Sequence, residues 1–294
     1  MQESKMFKHI IWILIMLSSG CKQIQDDSET TSGTVLPLNV EPIMGGAWYQ
    51  PGIQTTWQWQ LKVNRPGTIN TRYDVEVYDV DLFTIRSEEI ARLQNDGRRV
   101  ICYFSAGTYE NWQVDKDKFT PADYGLTLED WNRERWLDIR SVNVHNIMLS
   151  RLDLAVEKGC DGVEPDNVDA YAIGFERTGF TLTANDQLAF NRFLANQAHM
   201  RNLSIGLKND LDQIRELVDY FDFAVNEQCF EYNECELLLP FIDANKAVFT
   251  AEYENIYKTD TSERNALCNR ANNLQLSTLI LSLSLDDSYR DSCF

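Results

Sequence analysis

The segment DGVEPDN, residues 161–167, is followed by the helix-length stretch Ala184–Met200 and then by LSIGLKND, residues 203–210. Both short segments run from β-favouring residues into polar ones, which predicts two strands that end where the chain leaves the core. Between them, Leu188 and Leu194 recur with other apolar residues at helical spacing, which predicts an amphipathic helix. A strand, a helix and a second strand in this order predict a parallel βαβ unit.

The same alternation extends in both directions along the chain. Helix-length stretches recur at Ser87–Asn95, where Ser followed by Glu has the pattern of a helix cap, and at Val142–Lys158. Eight strands in about 220 residues predict an α/β fold, a single-domain (β/α)8 TIM barrel, and no Gly-x-Gly-x-x-Gly turn after the first strand favours a dinucleotide fold. A ninth candidate, LILSLSL at 279–285, means that one of the nine is an extra strand or no strand. The other six segments are TTWQWQL (55–61), VEVYDVD (75–81), RVICYFSAG (99–107), RWLDIR (135–140), FDFAVNEQ (221–228) and KAVFTAEY (246–253).

Composition limits the classes of function. Asp and Glu number 45 against 27 Lys and Arg, so the formal net charge is −18, which disfavours nucleic acid as a partner. The 44% hydrophobic and 11% aromatic content is typical of a globular protein rather than a disordered one. With only three histidines in the chain, a metal site is disfavoured and no cofactor is expected.

The N-terminus has the features of a targeting signal. Lys5 and Lys8 precede an apolar run, Ile10–Leu17, which is too short to span a bilayer and has the length of a signal-peptide core. The following Ser18-Ser19-Gly20-Cys21 resembles a bacterial lipoprotein signal in which Cys21 is lipidated, although Ser18 stands where that pattern prefers an aliphatic residue. We expect an exported protein that touches a membrane only through this lipid, with a plain secretory signal as the alternative.

Domain organisation follows from this signal. Residues 1–20 are the expected lipoprotein-type signal peptide, and residues 21–40, polar at first, are the expected flexible tether. The (β/α)8 domain is then expected at residues 41–294. Export to an oxidising compartment favours disulfides, and the pairs predicted are Cys229 with Cys235 and Cys268 with Cys293. Cys102 and Cys160 adjoin apolar runs, so a bridge and two buried thiols both remain open.

Ionisable side chains gather at the carboxyl ends of the predicted strands, the face where barrel enzymes hold their sites. Glu164 and Asp166 are two residues apart, so both project to one side of an extended strand, and Glu227 ends a later strand. Paired carboxylates are the groups that glycoside hydrolysis requires, one as proton donor and the other as nucleophile or base. For any single residue the alternative is a polar strand end without function. The further candidates for substrate contact are Asp79, Asp138, Lys208 and Asn209, although an ion pair with Arg140 would also explain Asp138.

Aromatic residues at or just beyond strand ends suit the binding of sugar rings. The candidates are Tyr103, Tyr109, Trp112 and Tyr253, and an unacetylated amino sugar would add a cation–π interaction. Trp57 and Trp59 alternate on the first strand, and core packing is the better interpretation for at least one of them.

Five longer segments follow one another along the chain: WNRERWLDIRS (131–141), KGCDGVEPDNVDAY (158–171), FTLTANDQLAFNRFLANQAHMRNLSIGLKND (180–210), FDFAVNEQCFEYNEC (221–235) and PFIDANKAVFTAEY (240–253). In this order they resemble glycoside hydrolase family 114, the endo-α-1,4-polygalactosaminidases. The resemblance covers the chain from about Trp48 to Tyr253 and implies a (β/α)8 barrel that cleaves within galactosamine-containing polysaccharide. By position it implies Asp166 as nucleophile and Glu227 as acid/base in a retaining mechanism, with Glu164 as the competitor of Asp166.

Two other functions remain open beside the one that this resemblance implies. A lipid-anchored barrel that binds polysaccharide without cleaving it would share the fold, although both implied acids are present. A glycosidase for another sugar or linkage would share the acid pair as well, because a fold does not determine its substrate. A zinc-dependent deacetylase is disfavoured because no histidine stands beside suitable metal ligands.

Overall fold

The computed structural model describes residues 36–63 and 69–294, so the expected signal peptide and Cys21 lie outside the described residues. The strands are short and follow one another along the whole described chain. They are β1 (Trp57–Gln60), β2 (Val77–Asp81), β3 (Arg99–Ser105), β4 (Thr108–Glu110), β5 (Tyr124–Thr127), β6 (Glu134–Leu137), β7 (Gly162–Asp166), β8 (Ser204–Lys208), β9 (Phe223–Glu227), β10 (Val248–Glu252), β11 (Ser277–Leu281) and β12 (Arg290–Ser292).

The main sheet has nine strands in the order β1-β2-β3-β7-β8-β9-β10-β11-β12. All neighbours pair in parallel except β12, which pairs antiparallel with β11. The first strand also meets the last ones: Trp57 stacks on Phe249 of β10 with 4.8 Å between ring centroids, and its Nε1–H donates to the carbonyl of Ser277 on β11 at 2.8 Å. The chain is therefore an α/β protein with a curled, barrel-like sheet.

One predicted barrel strand belongs elsewhere. Most of RWLDIR lies in β6, which pairs antiparallel with β4 and β5 in a separate three-stranded sheet. The eighth parallel strand of the main sheet is β11, which covers the start of LILSLSL. The prediction of RWLDIR as a barrel strand was wrong because a short β-rich segment carries no local signal of which sheet it joins.

Helices follow several of the strands, and the three predicted from periodicity are confirmed at Ser87–Asn95, Val142–Lys158 and Ala184–Met200. Ser141 and Thr183 are the N-cap residues of the second and third helices. The N-cap residue of the first helix is Arg86, and Ser87 is its first helical residue. Residues 61–63 and 69–76, between β1 and β2, contain no helix. The helices are α1 (Ser87–Asn95), α2 (Val142–Lys158), α3 (Ala170–Ile173), α4 (Phe175–Thr178), α5 (Ala184–Met200), α6 (Ile214–Leu217), α7 (Leu239–Asp243), α8 (Asn255–Thr259) and α9 (Thr261–Asn273).

Apolar side chains fill the space enclosed by the curled sheet. Trp57, Trp59, Phe223 and Phe249 are all buried there, so both tryptophans of the first strand are core residues. Gly206 makes room for this packing, because a Cβ on it would stand 2.3 Å from the Phe223 ring. A larger apolar layer lies between the sheet and the helices. These layers leave the carboxyl ends of the strands as the polar end of the enclosed space.

Three disulfides cross-link the described chain. The two predicted pairs, Cys229–Cys235 and Cys268–Cys293, are confirmed, and Cys102 and Cys160 form a third bridge rather than two thiols. The Cys102–Cys160 bond joins β3 to the turn between α2 and β7. No helix within residues 36–63 and 69–294 is long and apolar enough to cross a membrane.

The first described residues pack against α5 and against the segment that follows α6. The side chain of Arg192 donates to the carbonyl of Leu38 at 2.7 Å, and Tyr220 donates to the carbonyl of Val40. Asn196 accepts from the backbone N–H of Ile43 at 2.9 Å. The described end of the expected tether, residues 36–40, thus lies along the outside of the folded body.

Candidate active site

The side chains at the polar end of the sheet all project from the same face of their strands. Asp79, Tyr103, Glu164 and Asp166 come from β2, β3 and β7, where Tyr103 lies opposite Glu164 and Ser105 lies opposite Asp166 in the register. Because alternate residues of a strand point to the same side, these groups project into the enclosed space. Lys208 ends β8 and Glu227 ends β9, so three adjacent strands bring their last residues together.

Lys208 is the centre of this cluster. Its Nζ lies 2.9 Å from Oδ1 of Asp166, 3.0 Å from Oε2 of Glu227 and 3.8 Å from Oε1 of Glu164. The ammonium also lies 5.1 Å from the ring centroid of Trp59, within range of a cation–π contact. Burial alone would lower the pKa of Lys208, but the surrounding carboxylates outweigh burial and hold the pKa well above its ordinary value. The lysine is therefore a fixed positive charge between the acids.

Asp166 is held as a carboxylate by several donors. Besides Lys208, Tyr103 donates to Oδ2 at 2.8 Å and the Asn167 backbone N–H donates to Oδ1 at 2.8 Å. Burial raises the pKa of Asp166, but these contacts outweigh burial and lower it below the ordinary value. The backbone carbonyl of Asp166 accepts from the N–H groups of Ala106 and Gly107 at 2.8 and 3.1 Å. The position and the charge of this acid are thus both fixed by neighbours.

Glu227 faces Asp166 across the lysine. Tyr253 donates to Oε1 of Glu227, and the backbone N–H of Glu227 donates to the side-chain oxygen of Asn209 at 3.2 Å. Because one Nζ lies 2.9 Å from Asp166 and 3.0 Å from Glu227, the two contacted oxygens lie at most the sum of these distances, 5.9 Å, apart. Both side chains are partly exposed, by 17% and 25%, and so can meet a bound substrate.

Glu164 and Asp79 form a second pair beneath the first. Both are buried, the two carboxyls lie against each other, and no other side chain of the described residues donates a hydrogen bond to either. Burial raises the pKa of Asp79 to about 8, and burial together with the Asp79 charge raises the pKa of Glu164 well above its ordinary value. At neutral pH a proton is therefore retained between them. Although Glu164 shares the strand and the side of Asp166, its environment disfavours the ionised form.

The chain turns in the same way after each of the three central strands. Asn167, Asn209 and Gln228 directly follow β7, β8 and β9, and all three have positive φ, at 60°, 49° and 63°. Asparagine adopts this left-handed conformation more readily than most residues. The abrupt turns leave Asp166, Lys208 and Glu227 as the last residues before the chain leaves the sheet.

Three predicted site residues lie outside this cluster. Asp138 accepts two hydrogen bonds from the guanidinium of Arg140, at 2.8 and 2.9 Å, which is the ion pair considered as the alternative. Tyr109 stacks on Tyr124 within the small antiparallel sheet, with 4.6 Å between ring centroids. Trp112 is 42% exposed and packs under the guanidinium of Arg133. All three belong to the segment between β3 and α2, which leaves the main sheet.

An open cavity of about 350 Å³ adjoins Glu227 and contains residues that sequence reasoning did not single out. Its acidic members are Asp169, Asp210, Asp212 and Glu234. They come from three loops, each just after a strand of the main sheet, and their only signal in the sequence is that position. Among the described residues, no group of three or more His, Cys, Asp or Glu side chains is arranged to hold a metal ion.

Known proteins resemble this chain in sequence and in fold. The model of the family described as glycoside-hydrolase family GH114 matches residues 41–294. The crystal structure of Aspergillus fumigatus Ega3 in complex with galactosamine is similar at 44% identity and a TM-score of 0.78, covering 86% of this chain and 100% of that one. The glycoside hydrolase domain of PelA from Pseudomonas aeruginosa shares the fold, with 11% identity, a TM-score of 0.61 and coverage of 79% and 96%. No curated protein matches the chain.

Proposed function

The chain belongs to glycoside hydrolase family GH114, and from that premise we propose that it is an endo-acting glycosidase of α-1,4-linked, galactosamine-containing polysaccharide. The similarity to a structure that holds galactosamine supports an amino sugar as the substrate unit. The acidic, aromatic surroundings of the site suit a polymer that bears ammonium groups.

Asp166 acts as the nucleophile and Glu227 as the general acid/base. Glu227 donates its proton to the glycosidic oxygen while an Asp166 oxygen attacks the anomeric carbon, so that the leaving chain departs as an alcohol and a glycosyl ester forms. Glu227 then takes a proton from water, the water oxygen attacks the same carbon, and Asp166 is released as a carboxylate.

The spacing of the two acids is the observation that supports this mechanism. Retaining glycosidases hold their carboxyl groups about 5–5.5 Å apart, whereas inverting enzymes need about 6.5–9.5 Å to admit a water. The bound of 5.9 Å between the oxygens at Lys208 favours retention. The depressed pKa of Asp166 and the raised pKa of Glu164 support Asp166 as the ionised nucleophile.

Contacts between the two edges of the main sheet indicate whether the barrel is closed. We infer a (β/α)8 barrel in which the parallel strands β1–β3 and β7–β11 enclose the interior and β12 lies against the end of β11. Arg290 of β12 donates to the carbonyl of Trp57 on β1 at 3.0 Å, which supports closure between the two edges of the sheet. The site then lies at the carboxyl ends of the strands, as in other barrel enzymes.

The proposed location is outside the cytoplasm. Three disulfides among the described residues suit an oxidising compartment and support export. Attachment to the cell envelope through a lipid on Cys21, with residues 1–20 removed, is the sequence-based part of the proposal.

The test compares the wild-type protein with Asp166→Asn and Glu227→Gln on partially deacetylated galactosaminogalactan. We expect wild type to release oligosaccharides and each variant to lose at least about 100-fold in rate, since each lacks one essential group. The matched controls are Asp96→Asn and Glu157→Gln, which alter exposed acids at the C-terminal end of α1 and on α2. We expect both control variants to cleave at the wild-type rate. Undiminished cleavage by either site variant would refute the assignment of residues, and no cleavage by wild type would favour a binding protein or another sugar.

A further inference from the structure

The open cavity beside Glu227 lies on one side of the acid pair. Its walls are the segments that follow β7, β8 and β9, and they include Glu227 but not Asp166. In the proposed mechanism Glu227 protonates the oxygen of the leaving chain, so a cavity that is lined by Glu227 and not by Asp166 is on the leaving-group side. The volume of about 350 Å³ is sufficient for a sugar ring.

The cavity is acidic and has no cationic side chain in its walls. Asp169, Asp210, Asp212 and Glu234 line it with Glu227, and among the described residues no lysine or arginine does so. Carboxyls that share a concave surface produce a negative potential, which favours a bound cation. Acidity alone would equally suit a solvated surface.

Asp210 distinguishes this cavity from a solvated acidic surface. It is only 3% exposed, and its Oδ2 accepts from Asn191 at 2.8 Å, whereas its Oδ1 is buried and has no hydrogen-bond partner. A buried carboxyl oxygen without a donor is costly, and a ligand that donates there would relieve the cost. Burial, then the charge of Asp169, raises the pKa of Asp210 to about 8, and a cation bound beside it would favour its ionised form.

Two aromatic side chains complete the walls. Tyr171 lies in α3, two residues after Asp169, and Tyr232 is 62% exposed in the loop closed by the Cys229–Cys235 bond. Exposed tyrosine rings provide flat apolar surface on which a sugar ring can stack. Carboxyls for an ammonium group and rings for a sugar face are therefore present together.

We propose that this cavity is a leaving-group-side subsite that binds the ammonium group of an unacetylated amino sugar, with Asp210 and Asp212 as its ion-pair partners. The inference rests on the proposed function, because it takes its direction from Glu227 as the acid. Tight binding then requires a free amine on the sugar at the leaving-group side, because an N-acetyl group is uncharged and is larger than the ammonium group beside Asp210.

The experiment uses Asp210→Asn and Asp212→Asn, with Asp96→Asn as the matched removal of one negative charge outside the site. Each protein is assayed on α-1,4-linked galactosamine oligosaccharides and on their fully N-acetylated counterparts, and KM and kcat are separated. We expect each site variant to raise KM for the free-amine substrate on the order of 10-fold, with little effect on the acetylated one. Asp212 is exposed, so its substitution leaves folding intact even if Asp210→Asn does not fold.

Binding measured without turnover separates this inference from the proposed function. Calorimetric titration of galactosamine oligosaccharide into Asp166→Asn, alone and combined with each subsite variant, gives Kd for an inactive protein. A Kd about 10-fold weaker in the combined variants supports the subsite even where cleavage is absent. Unchanged Kd and KM in both subsite variants would overturn the inference while leaving cleavage by wild type, and thus the proposed function, intact.

Discussion

Lys208 explains how two acids two residues apart on one strand can differ in charge. Its ammonium lies 2.9 Å from Asp166 but 3.8 Å from Glu164, and Asp166 also accepts from Tyr103 and from the backbone of Asn167. Glu164, buried against Asp79, has no such donors. Burial therefore dominates the pKa of Glu164, whereas the donors dominate the pKa of Asp166.

Replacement of Lys208 by Met tests this account. In wild type the depressed pKa keeps Asp166 ionised into acidic solution; without the ammonium, burial raises that pKa. We expect the acidic limb of the kcat/KM profile to move to higher pH and the maximal rate to fall by at least about 100-fold. The measurement is the pH profile of Lys208→Met beside Lys118→Met, an exposed control. An acidic limb at the wild-type pH would contradict the role of Lys208, provided that circular dichroism shows a folded protein.

At the scale of elements, two disulfides affect different properties of the molecule. Cys102–Cys160 spans 58 residues and joins β3 to the turn before β7, whereas Cys229–Cys235 spans only 6 residues within the loop after β9. That short loop carries Tyr232 and Glu234 into the cavity beside Glu227. The long bridge therefore restricts the unfolded chain more, and the short bridge shapes the site.

We predict opposite rankings for stability and activity when these bridges are removed in pairs. By loop-closure entropy, Cys102→Ala with Cys160→Ala costs about 4 kcal/mol of unfolding free energy, and Cys229→Ala with Cys235→Ala about 2 kcal/mol. The second pair should nevertheless raise KM for the galactosamine polymer more than the first does. Denaturant unfolding and steady-state kinetics measure the two effects. The interpretation fails if the Cys102 and Cys160 pair has the larger effect on KM.

How far the sequence predicts these elements depends on whether the signal is local. Alternation and periodicity are local, so the strands around Glu164 and Glu227 and the helix Val142–Lys158 follow from them. Sheet membership is not local, and for that reason the prediction that RWLDIR joins the barrel was wrong, since this strand pairs with β4 and β5. The choice of Asp138, next to β6, as a site candidate relied on the same strand assignment.

The residues of the candidate site also differ in whether a local sequence signal predicts them. Asp166, Lys208 and Glu227 each end a predicted parallel strand, and the carboxyl ends of parallel strands lie at one end of the sheet, so the sequence predicts that these residues lie together. The contribution of Asp210 could not be found in this way. It depends on a left-handed turn at Asn209 and Asp210, with φ of 49° and 47°, and on a contact with Asn191 in α5, none of which sequence spacing reveals.

At the scale of the whole molecule, the formal net charge of −18 is a property that any long-range partner encounters first. A polymer of unacetylated galactosamine is cationic near neutral pH, so its approach to this protein is attractive over distances set by the Debye length, about 8 Å at 0.15 M salt. If the charge served only to keep the protein soluble, it would not favour a charged substrate over a neutral one. Electrostatic attraction would favour only the charged substrate.

Salt dependence on two substrates separates these roles. We expect kcat/KM for the free-amine polymer to fall by about 10-fold between low salt and about 0.5 M salt, because screening weakens both long-range attraction and the ion pairs of the acidic cavity. The kcat at saturation should change little, since Asp166 and Glu227 both contact Lys208 directly and all three side chains are largely shielded from solvent. Partly acetylated polymers of equal length should show a slope that declines with each lost amine. Equal salt slopes for charged and fully acetylated polymers would mean that the net charge has no role in substrate capture.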